Sequence, residues 1–321
     1  MNICLTSAGR RVELGKSLLL DAHQLGLNAQ IVAVDLAPQF SAACQWAMAS
    51  FEMPRCTAPD YIEKILTICR TQNVKILVPT IDNELPILSA AHAQFRRAGV
   101  HLVISQPAAV QIARDKQLTA EVLAQAGVPS PRTARLVDFL SGQTPLNFPL
   151  ILKRVDGSSS IGLHAAANLA ELLALNLEVA RYVAQEKLEG PEYTVNCFVD
   201  AGGTLRAAVP HRRIETRGGE VSKGVTERRV DLQNLAEQVT RAVPGLRGPF
   251  CFQVILTSDG PKVFEINARF GGGYPLAHAA GATFGKWIME EALGLPVTTH
   301  NHWQDGVLML RYDAAIFNLK K

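Results

Sequence analysis

Residues 264–273 read Phe-Glu-Ile-Asn-Ala-Arg-Phe-Gly-Gly-Gly. Side chains alternate across an extended strand. Glu265, Asn267 and Arg269 therefore share one face, and Phe264, Ile266, Ala268 and Phe270 the other. A carboxylate and amide oxygens are hard ligands of the kind Mg²⁺ takes. That ion uses one or two carboxylates and completes its octahedron with phosphate oxygens and water. Upstream, Cys-Phe-Gln-Val-Ile-Leu (251–256) and a turn at Ser258-Asp259-Gly260 predict a hairpin with Gln253 on the opposing strand. A solvent-facing strand would show the same alternation, but it leaves Gly271, Gly272 and Gly273 without a purpose.

Other segments carry chemistry of the same kind. Lys153 precedes Asp156-Gly157-Ser158-Ser159-Ser160-Ile161-Gly162. Small residues free backbone N–H groups for an anion, and serine hydroxyls add to them. The Gly-Lys-Ser/Thr ending of a Walker loop is missing, and a flexible hairpin loop would read alike. Residues 184–192, Ala-Gln-Glu-Lys-Leu-Glu-Gly-Pro-Glu, suit either a solvated edge strand or an adenine hinge. In the second reading the backbone near Leu188 meets the base edge and Glu192 accepts ribose hydroxyls.

Residues 206–229 set Arg206, Arg212, Arg213, Arg217, Lys223, Arg228 and Arg229 against Glu215, Glu220 and Glu227. Gly218, Gly219 and Gly224 suggest mobility. The segment reads as a solvated basic loop or as a lid over phosphates or a carboxylate. Arg213, Arg217 and Lys223 are candidates for that carboxylate. Arg311 is another, or else a structural ion-pair partner. Asp82 and Glu84 follow a predicted strand, where they meet part of a substrate or cap a helix.

These residues need a frame. Asn2–Thr6, 30–35, 75–80 and 101–105 read as buried strands separated by helices near 59–72 and 84–98. This pattern predicts an α/β module, a doubly wound parallel sheet over residues 1–106. A helix follows over 108–126, closed by Gly127 and Pro129. Asn168 and Glu171 predict a capped helix over 169–181. The second half, with its hairpins, reads as α+β.

With 321 residues, two or three modules are expected. A net charge of +3 calls for no nucleic-acid partner, and the basic segment lacks interleaved aromatics. No segment is long and apolar enough to span a bilayer, and no signal peptide is expected. The six scattered cysteines suit a reduced, cytoplasmic protein.

Taken in order, Lys116, Lys153 with its Gly/Ser loop, Gln-Glu-Lys-Leu-Glu-Gly-Pro-Glu (185–192) and Gln253…Glu265-x-Asn267-x-Arg269 resemble the ATP-grasp superfamily. The resemblance is to one synthetase half of the carbamoyl-phosphate synthase large subunit and to stand-alone ligases built like it. Gly-Pro-Glu-Tyr-Thr-Val (190–195) also resembles D-alanine–D-alanine ligase. The resemblance covers nearly the whole chain. It implies a Rossmann-like pre-ATP-grasp domain (1–106), a small ATP-grasp subdomain with the phosphate loop (107–183) and a large subdomain with the metal site (184–321).

It also implies roles. Lys116 and Lys153 contact nucleotide phosphates, and Asp156, Gly157, Ser158, Ser159 and Ser160 close over them. Gln185, Glu186, Lys187 and the Leu188 backbone hold adenine, and Glu192 the ribose. Glu265 bridges two Mg²⁺ ions, Mn²⁺ being a substitute, with Gln253 and Asn267 completing the shell. Arg269 and Lys153 steady the phosphoryl group. The partners implied are a small carboxylate and an amine, joined through an acyl phosphate, and a homodimer through the first module.

Ala268 stands where the family often has proline. A single synthetase unit without a glutaminase portion argues against carbamoyl-phosphate synthesis, though related phosphorylation of a carboxylate or carbamate stays open. Two rivals are a non-catalytic nucleotide-binding protein and a nicotinamide-dependent oxidoreductase using Asp35. The latter lacks Gly-x-Gly-x-x-Gly in Thr-Ser-Ala-Gly-Arg-Arg-Val-Glu-Leu (6–14).

Overall fold

The computed structural model describes residues 1–157 and 162–317. The first sheet holds β1 (Asn2–Thr6), β2 (Gln30–Asp35), β3 (Ala49–Glu52), β4 (Val74–Pro79) and β5 (His101–Leu102). All its strands are parallel, in the order β3-β2-β1-β4-β5. The unbroken apolar runs have a direct cause. Cys4, Val32, Val34 and Leu77 enter one core, while Ile3, Leu5, Ile31, Ala33, Ile76 and Val78 enter another on the opposite face. Both faces are covered, so both sets must be apolar. The sequence reading missed β3, an edge strand with a weak β pattern (Ala-Ser-Phe-Glu).

The second sheet holds β6 (Thr133–Arg135), β7 (Leu150–Arg154), β8 (His164–Ala166) and β9 (Tyr182–Glu186), antiparallel in the order β6-β9-β7-β8. It has its own small core around Leu136, Leu150, Leu152 and Leu172. The division drawn at 183/184 passes through β9, so Gln185 and Glu186 belong to this sheet. The third sheet holds β10 (Glu192–Val199), β11 (Leu205–Arg217), β12 (Glu220–Thr226), β13 (Gly248–Thr257), β14 (Gly260–Asn267) and β15 (Leu308–Leu310). Its order is β14-β13-β10-β11-β12-β15, antiparallel throughout.

Several expected elements differ. The helix expected over 108–126 is two helices, Pro107–Arg114 and Lys116–Gln125. Asp115 breaks it: its backbone is extended and its carboxylate accepts from the N–H groups of Gln117 and Leu118, an N-cap. The helix near 84–98 likewise divides at Ala91. Asn168 does cap a helix and Glu171 bonds back to Ala167 N, but the helix ends at Ala174. Residues 206–229 are chiefly a hairpin of the third sheet rather than a loop, turning at Gly218 and Gly219 with φ of +58° and +77°.

No helix among the described residues is long and apolar enough to cross a membrane. All six cysteines are unpaired.

Candidate active site

A cavity of about 460 Å³ lies between the second and third sheets. Lys153 and Gln185 reach it from β7 and β9, and Gln253, Glu265 and Asn267 from β13 and β14. Lys116, on the first turn of its helix, also lines it. The Asp115 cap sets where that lysine points.

The expected alternation along β14 holds from Glu265 onward but fails at Phe264. Gln253 pairs with Glu265 and Val254 with Val263, so Phe264 is the extra residue of a β-bulge. The bulge turns Phe264 to the cavity beside Glu265, while Val263 and Ile266 stay in the core. Lys153 Nζ lies 4.6 Å from the Phe264 ring centroid, a cation–π contact, and donates to Gln185 Oε1 at 2.7 Å. Gln185 Nε2 in turn donates to Thr133 Oγ1 at 2.9 Å, which fixes the amide. Burial, with help from Lys116 and against Glu265, pushes Lys153 down to about 8. Lys116 Nζ donates to Gly157 O at 2.5 Å and lies 3.9 Å from Glu265.

One end of the cavity is apolar. Ile151, Leu188, Ile255 and Phe264 line it together with the 185–188 segment. Gly190 seats this segment against β13: at φ +142°, a Cβ there would meet Leu256 O at 2.0 Å. Glu192 lines the cavity and pairs with Arg213 Nε at 3.1 Å; burial raises its carboxyl and Arg213 opposes this.

Arg269 Nη2 donates to Asp82 Oδ2 at 2.6 Å, tying the third sheet to the loop after β4. Burial alone would lower this guanidinium, but the Asp82 charge and hydrogen bond outweigh it. Arg269 Nε is buried with no hydrogen-bond partner.

Not all candidates converge. Glu84 is fully buried and outside the cavity, accepting from Ser7 Oγ, Tyr61 Oη and the N–H groups of Thr80 and Ile81. Arg217 and Lys223 also lie outside it. Arg217 pairs with Asp313, and Lys223 with its cross-strand neighbour Glu215 at 2.7 Å. Asp156 borders a second cavity instead, whereas Gly157 borders both. Ser158, Ser159 and Ser160 lie outside the described residues. Asp35 accepts from Gly9 N at 2.8 Å and Leu36 N, stapling β2 to the turn after β1.

The sequence reading missed Arg11, Ile151, Arg154, Glu220, Ile255 and Phe264, all of which line the cavity. For Ile151 and Ile255 the signal was available: they flank Lys153 and Gln253 at two-residue spacing, hence on the same strand face.

The three glycines have a spatial cause. A Cβ on Gly271 would meet Cys251 Sγ at 2.8 Å, on Gly272 the Glu220 carboxylate at 2.8 Å, and on Gly273 the His211 ring at 2.6 Å. His211 is fully buried and pushed down to about 3 by burial, Arg213 and Arg311, hence neutral. A buried ring cannot yield as the Glu220 side chain can. Gly273→Ala is therefore expected to cost about 1–3 kcal/mol by overpacking, more than Gly272→Ala, as read by urea unfolding.

Residues 3–103 match the family described as PylC-like, N-terminal domain. Residues 178–314 match that described as ATP-grasp in the biosynthetic pathway with Ter operon. Among sequence relatives, a trifunctional purine biosynthetic protein adenosine-3 of Chironomus tentans is 24% identical over 64% of this chain and 17% of its own length. A D-alanine–D-alanine ligase of Pseudomonas putida is 38% identical over 26% of this chain and 29% of its own. The chain thus spans under a third of either relative. Biotin carboxylase of Campylobacter jejuni has the same fold, with a TM-score of 0.73, 15% identity and coverage of 95% of this chain and 73% of that one. So has N5-carboxyaminoimidazole ribonucleotide synthetase of Thermotoga maritima, with a TM-score of 0.67, 19% identity and coverage of 94% and 78%. Residues 178–314 thus match an ATP-grasp family, and Lys116, Lys153, Gln253, Glu265, Asn267 and Arg269, the residues that carry the resemblance to that superfamily, line one cavity.

Proposed function

We propose that the chain is an ATP-dependent ligase that joins a small carboxylate to an amine and releases ADP and phosphate. The observation that carries this reading is one cavity with an apolar slot at one end and, beyond it, two lysines, Glu265, Asn267 and Arg269. The relatives named as D-alanine–D-alanine ligase, and a solved L-amino acid ligase of Bacillus licheniformis (18% identity, TM-score 0.69), support ligation as the chemical class.

Adenine enters between Ile151, Leu188, Ile255 and Phe264, with the ribose toward Glu192. Lys116 and Lys153 meet the phosphates. Among the described residues no three His, Cys, Asp or Glu could hold a metal by themselves. One carboxylate and two amides fit Mg²⁺ that brings its own phosphate and water oxygens, which is how that ion is usually held. Gln253, Glu265 and Asn267 would hold it, and it would neutralise charge on the phosphates.

A carboxylate oxygen of the substrate attacks the γ-phosphorus, and the bond to the β-phosphate oxygen breaks to release ADP. The amine nitrogen then attacks the acyl carbon. Phosphate departs with that carboxylate oxygen and the nitrogen gives up a proton. The protein's task is positioning and charge neutralisation. Arg269, with a buried N–H left over, suits the anionic oxygens that form. The divisions of the chain belong to the proposal too, with the small subdomain extended through Glu186.

Lys153 makes the reading pH-dependent. It is charged below about 8 in the free protein, and bound phosphates favour the charged form. ATP affinity is therefore full below that pH and falls as pH rises through it, with proton uptake on binding. Calorimetry at pH 8.5 in buffers of different ionisation enthalpy is expected to show that uptake, and Lys153→Arg to remove it. The activity itself is tested by ADP release over paired panels of carboxylates and amines, with the amide confirmed by mass spectrometry. Phosphate release with no amide product for any pair would remove the ligase reading.

A further inference from the structure

The end of the cavity away from the apolar slot is built from three distant segments. Arg11 comes from the turn after β1, Glu220 from the start of β12, and Gly271–Gly273 follow β14. Glu220 Oε1 pairs with Arg11 Nη2 at 2.9 Å, and Glu220 Oε2 with Arg311 Nη1 at 3.3 Å. Arg311 also donates to Gly272 O. The carboxylate lies 2.8 Å from where a Cβ of Gly272 would be, so the glycine makes room for it. Among the described residues the ion pairs of Arg11, Arg269 and Arg311 are with Asp82 and Glu220, while Glu265 also attracts Arg269 and Arg10 also acts on Glu220.

We propose that Arg11 and Arg311 form a subsite for a second carboxylate, carried by a substrate away from its reacting centre, and that Glu220 is a built-in placeholder displaced when that group binds. The proposal rests on the ligase reading above, because the cavity must also hold the nucleotide. One guanidinium on each oxygen is the geometry of a bridged carboxylate, which favours that group over phosphate. The placeholder can leave. It sits two residues after Gly218, beside the turn of a hairpin, and its side chain is 28% exposed. Burial alone would raise the Glu220 carboxyl, but Arg11 and Arg311 hold it below the usual range, so it stays anionic and competes with any incoming acid. The apparent affinity for that acid is then reduced by the fraction of time Glu220 is in place.

The probe is succinate, with butyrate as the control of equal chain length and one acid group fewer. Both are titrated by calorimetry into the full chain with ADP·Mg²⁺. Glu220→Gln is expected to bind succinate about fivefold tighter or more, as removal of an occupant would produce, with butyrate unchanged. Arg311→Met, alone or added to Glu220→Gln, is expected to weaken succinate about tenfold through loss of a charge-assisted pair, and Arg11→Met to do the same. The proposal is overturned if Glu220→Gln weakens succinate, leaves it unchanged or shifts butyrate equally. Tighter binding of inorganic phosphate than succinate by the Gln variant would overturn the choice of carboxylate. ADP binding is measured in the same samples. Its absence would remove the ligase reading, whereas its presence without the succinate pattern would remove this inference alone.

Discussion

Glu265→Gln is expected to lower ATP turnover by about a hundred- to a thousandfold, the scale of losing one aligned charge from a phosphoryl-transfer site. The change is isosteric and removes only the charge. Glu265 is the one carboxylate beside Gln253 and Asn267, so the metal would lose its anionic ligand. The fold has little invested in that charge. Its ion-pair partner is Lys116 at 3.9 Å, and its side chain is partly exposed. Such a pair contributes about 0–1 kcal/mol. Urea unfolding should therefore be nearly unchanged while ADP release collapses. Near-normal ADP release from this variant would remove the metal-site reading.

Arg269→Met has the largest expected effect on stability. Its partner Asp82 is buried, and breaking one half of a buried ion pair costs about 3–5 kcal/mol because the other charge is left without compensation. Turnover should fall as well, since Arg269 lines the cavity. A second substitution separates the two effects. With Asp82→Leu added, the orphaned charge is gone, and much of the lost stability should return. Turnover should not return, because the guanidinium is still missing. Equilibrium unfolding and ADP release on the two single variants and the double variant check this. Recovery of turnover in the double variant would assign Arg269 to structure alone.

The parallel sheet and the β13–β14 hairpin were legible in the sequence because burial leaves a direct pattern. Continuous apolar runs mark strands covered on both faces, and the polar face of 265–269 marks a strand lining a cavity. What escaped depends on partners far along the chain. Phe264 falls on the apolar face by simple alternation, because a bulge is a property of two paired strands and is invisible in one. Residues 205–210 read as a strand paired with the preceding one, as found, but the charges and glycines that follow resemble a loop or a lid. Their charges are instead paired across strands, as in Glu215–Lys223 and Arg213–Glu192. Arg11 and Glu220 meet only because the first and third sheets dock, and no local pattern announces that contact. The break at Asp115 is different: the capping residue is visible in the sequence, just before Lys116.

The central claim is that a carboxylate oxygen is phosphorylated in this cavity before the amide forms. It is tested most directly with a carboxylate substrate labelled with ¹⁸O in both oxygens, followed by mass analysis of the phosphate released. Ligation through an acyl phosphate transfers one labelled oxygen to phosphate for each amide made, leaving the other in the product. Unlabelled phosphate alongside the amide, with the expelled labelled oxygen found in AMP or water instead, would contradict it.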